Sequence, residues 1–298
     1  MKNELKSTSL WTAIITPFLK DGKIDFKSLE GLLRQQEKFH NGVVLLGSTG
    51  EGLALSRNEK ESILKFAQSL NLSIPTISGV PGHNLDEALD FIRFAKTTGV
   101  KGFLSVTPYY AKPGVSGQIR WFKSILDEAG LPVMLYNVPS RTGMRLAPEV
   151  LSELKDHANL WALKESSGSV DSFQEYQRVN SSLSFFCGDD GLMPAFAKAG
   201  AIGLVSVAAN VWPEATRKVV ELSLAKKADE CLPMWQAATD ALFLASNPIP
   251  TKFLHLHLGQ IETTHLKAPL DLADLKETQK VIYAHETITK WLAERKAL

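Results

Sequence analysis

Cysteine is almost absent: Cys187 and Cys231 are the only two in 298 residues. Two cysteines are too few to staple a secreted domain, and alone they cannot form a four-ligand zinc site. A reducing cytosol is the expected compartment. Excess charge of one sign is lacking too, because 33 Lys and Arg against 32 Asp and Glu leave a formal +1. The basic field needed by a nucleic-acid binder, or by a protein seated on an anionic membrane, is therefore missing. No run reaches the ~18 uncharged apolar residues of a membrane span. The nearest, Ala199 to Pro213, is interrupted by Asn210 and several small residues. Leu10 to Leu19, after Lys2 and Lys6, imitates a signal peptide but lacks a small-x-small cleavage site and continues into Lys20-Asp21, so it reads as a first strand. The seven histidines form no HExxH pattern, and His255-x-His257 points its rings to different faces of a helix.

What is present is ordinary globular composition, with 44% hydrophobic and 22% charged residues, enough for a large core. The length allows one large α/β barrel or two ordinary domains. Short apolar runs alternate with amphipathic stretches, the pattern of βαβ units on a parallel sheet. The runs are Leu10–Thr16, Val43–Leu46, Ile74–Ser78, Gly102–Thr107, Val133–Tyr136, Trp161–Lys164, Ser184–Cys187 and Ile202–Ser206. Helical periodicity falls between them, as in Phe26–Phe39, Glu59–Leu70, Leu85–Thr97, Gln118–Glu128 and Pro148–Lys155. Asp25, Ser56 and Asn84 are usable N-caps, Ser56 with Glu59 fits a capping box, and Gly99 and Gly130 mark helix ends. Eight such units predict a (β/α)8 barrel over residues 1–225, with a doubly wound sheet as the runner-up. Lys226 to Leu298 reads as a small all-helical C-terminal domain packed on the barrel, interrupted at Asn247-Pro248-Ile249-Pro250, where two prolines forbid a regular helix.

The active site of such a barrel sits at the C-terminal strand ends. Those ends carry Thr16, Ser48, Thr49, Ser78, Tyr109, Tyr110, Tyr136, Asn137, Lys164, Glu165, Asp189, Asp190 and Ser206. Lys164 is the one lysine among them. Poorly hydrated walls disfavour an ammonium, and a neutral amine is what attacks a carbonyl, so Lys164 reads as a Schiff-base lysine; an ion pair with Glu165 is the bland alternative. Gly47-Ser48-Thr49-Gly50-Glu51-Gly52 has neither P-loop nor dinucleotide spacing and suits a small carboxylate, with Thr49 as donor. Tyr136 is placed to shuttle protons, and Arg141, five residues on, to grip a second carboxylate bidentately. Asp189-Asp190 is expected to hydrogen-bond or cap rather than to bind a metal.

Gly47-Ser48-Thr49-Gly50-Glu51, Val106-Thr107-Pro108-Tyr109-Tyr110, Tyr136-Asn137-Val138-Pro139-Ser140-Arg141-Thr142-Gly143, Leu163-Lys164-Glu165-Ser166-Ser167-Gly168, Gly188-Asp189-Asp190 and Asn247-Pro248-Ile249-Pro250 follow one another in a familiar order. On these motifs, which run through essentially the whole chain, it resembles the pyruvate-dependent class I lyase and aldolase superfamily, and within it the dihydrodipicolinate synthase family. The resemblance implies an imine of pyruvate on Lys164, with Tyr136, Ser48 and Tyr110 as a hydroxyl relay and Tyr110 reaching a neighbouring subunit's site. Thr49, Val205 and Gly188 would line the pyruvate pocket, and Arg141 would hold the carboxylate of L-aspartate 4-semialdehyde. A homodimer or a homotetramer built as a dimer of dimers, a cytoplasmic location, and no metal or organic cofactor are implied as well.

Two positions depart from the family pattern. Residue 48 is Ser where Thr is usual, a form shared with the N-acetylneuraminate lyases, so a 2-keto-3-deoxy sugar-acid lyase is the second reading; a non-catalytic barrel that binds a keto acid is the third. Arg141 favours the synthase, because a sugar-acid lyase has no use for a guanidinium there. Arg57 and Lys60 stand where lysine-inhibited members carry histidines, while Glu87 and Tyr109 remain. Two cations there would repel a cationic ligand, so weak or no inhibition by L-lysine is expected.

Overall fold

The computed structural model describes residues 2–296. Eight strands form a closed parallel barrel in chain order: β1 (Leu10–Ala13), β2 (Gly42–Leu45), β3 (Thr76–Gly79), β4 (Phe103–Val106), β5 (Val133–Asn137), β6 (Leu160–Glu165), β7 (Ser184–Cys187) and β8 (Gly203–Ser206). Every apolar run contributes its strand, and the doubly wound alternative is excluded by closure of β1 on β8, with Trp11 opposite Val205. The first run is shortened to Leu10–Ala13, ahead of Pro17.

Local chemistry sets the surrounding helices. Asp25, Ser56 and Asn84 each accept a backbone N–H at a helix start, and Ser56 with Glu59 completes the reciprocal box. Gly99 and Gly130 take the left-handed conformation that ends a helix, at φ 74° and 57°. A helix over Lys2–Ser7, for which the sequence pattern gave no sign, sends Leu5 into the barrel interior beside Trp11 and Trp161.

Two apolar layers result. Leu135, Leu163 and Phe185 face the helices, whereas Trp11, Val44, Met134, Tyr136, Ala162, Phe186 and Val205 fill the barrel. Alternation along a strand assigns Lys164 to the same face as Ala162 and Glu165 to the opposite one. Leu160 nevertheless belongs to the outer layer. The change of parity is a register irregularity between β5 and β6: Val133 pairs with Leu160 and Met134 with Ala162, leaving Trp161 as the extra residue. Trp161 turns inward instead, edge-on to Trp11 and Phe186 with ring centroids 5.7 Å apart in both cases.

The C-terminal segment has helices over Leu232–Ala241, Ile249–His257 and Thr278–Lys296. Its apolar cluster includes Trp235, Leu254, Val281 and Ile288, and also takes in Ala208, Trp212 and Val219 from before residue 226. One expectation needs correction here. The proline pair does not interrupt a helix but opens one: Ile249 is the first helical residue and Pro250 lies in the first turn, where the missing N–H has no intrahelical acceptor to lose. The segment's regular elements are all helical, as expected, with 258–277 carrying only the 3-10 turn Leu272–Asp274. Trp235 Nε1 donates to the Asp190 carbonyl at 2.8 Å, joining the segment to the barrel.

Candidate active site

Lys164 and Tyr136 stand opposite each other in the β5–β6 register. Both are buried, at 6% and 8% exposure, and the lysine Nζ lies 4.1 Å from the centroid of the phenol ring. The amine thus lies against the face of the phenol ring. Glu165 is not its partner: its two oxygens accept from Asn137 Nδ2 at 2.7 Å and from the Ser167 N–H at 2.9 Å. Burial raises the Glu165 pKa. The ion-pair alternative for Lys164 therefore fails, because adjacent residues of a strand face opposite sides of the sheet.

Gly188 follows β7 directly. A Cβ at this position would lie 2.7 Å from Lys164 Cε and 1.8 Å from Ser166 Oγ, so the missing side chain is the space that the lysine stem occupies. Asp189 and Asp190 then part company. Asp190 accepts from the Ser206 hydroxyl and from the Val207 and Ala208 N–H groups, which is the expected hydrogen-bonding role. Asp189 is largely buried with Oδ2 unpartnered. Burial pushes its pKa up to about 6, while the Lys164 charge acts in the other direction. Among the described residues no cluster of His, Cys, Asp and Glu is arranged to hold a metal ion.

A cavity of about 320 Å³ opens beside this pair, lined by Ser48, Tyr136, Arg141, Lys60, Tyr109 and Val138 among others. Ser48 and Tyr136 thus share a wall-to-wall space. Thr49 is buried, and its hydroxyl accepts from Asn247 Nδ2 at 2.8 Å. The turn does not lead straight into a helix: Glu51 N and Gly52 N donate to the Ser48 and Gly47 carbonyls, and the next helix starts only at Arg57. Val205 is fully buried in the barrel interior, opposite Trp11.

Arg141 is exposed and sits on a four-residue helical turn, Pro139–Thr142. The turn is tethered by Asn137, whose Oδ1 accepts from Leu146 N at 2.8 Å. Tyr110 is not brought to the lysine within one chain; it is 91% exposed. Of the seven non-glycine residues with positive φ among the described residues, His40, Asn71 and Lys226 follow helix ends. The other four, Leu46, Glu51, Tyr110 and Lys112, lie in the segments after β2 and β4. Left-handed backbone costs such residues about 1–2 kcal/mol each, and strain of this kind gathers where function fixes a loop.

Arg57 pairs with Glu61 at 2.6 Å and lies against Phe91 and Phe94. Lys60 faces the cavity, and burial lowers its pKa. Residues that the strand-end reading missed are Lys252 and Lys267, which grip Glu51 of the turn. No one-dimensional pattern links positions so far apart in the chain.

The barrel, the Lys164–Tyr136 pair and the turn at Ser48 and Thr49 coincide with a match to the dihydrodipicolinate synthetase family over residues 6–288. The chain belongs to this family. A relative in Francisella tularensis subsp. novicida (strain U112), called 4-hydroxy-tetrahydrodipicolinate synthase, is 47% identical over 285 residues, covering 95% of this chain and 97% of the relative. The structure of the enzyme so named from Methylacidiphilum fumariolicum SolV superposes with a TM-score of 0.92 at 31% identity, covering 97% of this chain and 98% of that one. The chloride-inhibited dihydrodipicolinate synthase of Acinetobacter baumannii, solved with pyruvate, gives a TM-score of 0.89 at 32% identity, covering 95% and 99%. The family's barrel with its helical C-terminal segment is the architecture described above.

Proposed function

We propose that this chain condenses pyruvate with L-aspartate 4-semialdehyde, the activity of a 4-hydroxy-tetrahydrodipicolinate synthase, through an imine on Lys164. The observation that carries the reading is the lysine amine held over the Tyr136 ring at the mouth of a barrel of this family. The amine adds to the keto carbon, and loss of water leaves the imine. As an iminium it withdraws electrons, so a methyl proton departs and an enamine forms; this is covalent catalysis. The enamine carbon attacks the aldehyde, whose oxygen takes up a proton and becomes a hydroxyl. The amine of the second substrate then adds to the imine carbon and expels the lysine, which closes the ring and frees the enzyme.

Each step moves a proton between carbon, nitrogen or oxygen. Tyr136 is in contact with the amine, and Ser48 borders the same cavity, so both suit a relay. The exposure of Tyr110 fits a role at a second copy's site, in a dimer or a dimer of dimers. Thr49 and the turn backbone suit the pyruvate carboxylate, with Val205 and Gly188 closing the pocket around the lysine. Arg141, at the cavity rim, suits the carboxylate of the aldehyde substrate. Covalent and acid–base chemistry from these side chains suffices, so the reading calls for no metal or organic cofactor. Synthesis of a lysine precursor in the cytoplasm is the setting it implies; among the described residues no helix is long and apolar enough to cross a membrane.

Borohydride reduction in the presence of pyruvate tests the proposal. The adduct should map to Lys164, and Lys164→Ala should trap nothing. An adduct elsewhere, or none with the wild-type protein, would overturn it, as would failure to turn over pyruvate plus aspartate semialdehyde in a coupled assay.

A further inference from the structure

The turn carrying Ser48 and Thr49 is held at three successive residues. From the barrel side, Thr16 Oγ1 donates to the Gly50 carbonyl at 2.7 Å. From the C-terminal segment, Asn247 Nδ2 donates to Thr49 Oγ1 at 2.8 Å, and Glu51 accepts the Lys267 N–H at 2.7 Å. Glu51 also pairs with Lys252 Nζ at 2.5 Å, the two side chains being 1% and 0% exposed. Lys252 is itself fixed, donating to the His265 carbonyl at 2.9 Å and lying 4.2 Å from the Phe18 ring centroid. Lys267 Nζ completes the bracket at Glu59 Oε1, 2.7 Å away.

The bracket has a chemical consequence at Thr49. A hydroxyl has one proton and two lone pairs. Here one lone pair is engaged by the Asn247 amide, and among the described residues no acceptor takes the Thr49 proton. Asn247 and Thr49 are both buried, at 5% and 2% exposure, so water does not readily replace the amide. Held in this way the hydroxyl can act toward a ligand only as a donor or through its remaining lone pair, and a carboxylate, which accepts only, selects the donor.

We propose that Asn247 is a positioning residue for the keto-acid substrate: by donating to Thr49 Oγ1 it orients the Thr49 hydroxyl as a hydrogen-bond donor to the substrate carboxylate, while the Glu51–Lys252 pair keeps the turn in register. The inference rests on the reading above that Thr49 holds that carboxylate. It makes the C-terminal segment part of the pyruvate pocket, although Asn247 need not touch the substrate.

The test uses the full-length protein and two readouts, the pyruvate concentration that half-saturates borohydride trapping and the pyruvate KM in the coupled assay. Loss of one neutral hydrogen bond predicts that Asn247→Ala raises both about 3- to 10-fold, with the change in KM rather than kcat. Thr49→Val should raise them by a similar factor, and the double variant no further than Thr49→Val alone, since both changes remove one interaction. Asn247→Ser keeps a donor, falls between wild type and Asn247→Ala, and serves if the alanine variant does not fold. If Thr49→Val weakens pyruvate binding while Asn247→Ala leaves it unchanged or tightens it, or if the two effects multiply, the role of Asn247 is overturned. If Thr49→Val has no effect on a wild-type-like trapping reaction, the assignment of Thr49 itself falls and the inference with it.

Discussion

The two sides of the barrel mouth are built differently. On one side, Tyr136, Lys164 and Gly188 are set by neighbouring strands, and their positions follow from sheet register and from a missing Cβ. On the other, Ser48, Thr49 and Glu51 lie on a turn with left-handed backbone at Leu46 and Glu51, held down by residues some two hundred positions later. The lysine proposed to bond the substrate is thus placed by strand register, within the closed barrel itself. The groups suited to gripping the substrate's end depend instead on tertiary contacts with the C-terminal segment.

Crowding the strand-set side should have the largest effect. Gly188→Ala puts a methyl where Lys164 Cε and Ser166 Oγ now sit, and displacing a reacting amine by about 1 Å costs on the order of 100-fold in rate. Trapping rates should fall accordingly, beyond what a stability loss of about 1–3 kcal/mol from overpacking would explain in a protein still folded at the assay temperature. Near-normal trapping would show that the lysine stem is free to move and that strand register does not fix its position.

Acid should act on the bracketed side. His255, on the helix that also carries Lys252, is buried with Nδ1 2.6 Å from Gln260 Oε1, and burial pushes its pKa down from 6.5 to about 4. The unfolded chain takes up that proton near pH 6.5 and the folded one only near pH 4. The stability that depends on a neutral His255 is therefore complete above pH 6.5 and is lost as pH falls toward 4, by up to about 3 kcal/mol. Asp189 works in the opposite direction, because its raised folded pKa of about 6 favours the folded state as pH falls from 6 toward 3.8. Comparing wild type with His255→Leu in urea melts at pH 7 and pH 4.5 isolates the histidine: the variant should lose less stability on acidification. Equal losses would remove His255 as the acid-sensitive point of this side.

At the exposed rim the effects should be smaller and selective. Arg141→Ala should leave pyruvate trapping intact and raise the KM for aspartate semialdehyde about 10- to 100-fold, the range for one charge-assisted hydrogen bond. Loss of trapping would show that the rim and the lysine are not separable. Last, L-lysine should have little or no effect in the coupled assay. Lys60 and not a histidine lines the cavity, while Arg57 is already paired with Glu61. Inhibition at micromolar L-lysine would contradict that expectation.

Much of this molecule is legible along the chain. The eight strands and the capped helices follow from apolar runs and from Asp25, Ser56 and Asn84, and one lysine at the end of an apolar strand singles out Lys164 as the candidate amine. All of these are local, since hydrophobic period and capping act within a few residues. What was not legible is non-local. The extra residue Trp161 in β6 resets which side chains face inward, and so directs Lys164 to Tyr136 and Glu165 to Asn137. Only the pairing of β5 with β6 decides that.

Composition and pattern alone determined the alternation of eight strands with helices and which residue types stand at the strand ends, because burial of repeated apolar runs between amphipathic helices leaves few other solutions; closure of β1 on β8 is a tertiary fact. The tertiary structure decided how that chemistry is held: which partner Glu165 takes, that Tyr110 faces outward, and that Asn247, Lys252 and Lys267 bracket the turn at Thr49 and Glu51. These depend on the direction of side chains and on contacts between residues far apart in sequence, and neither is encoded in any short stretch of the chain.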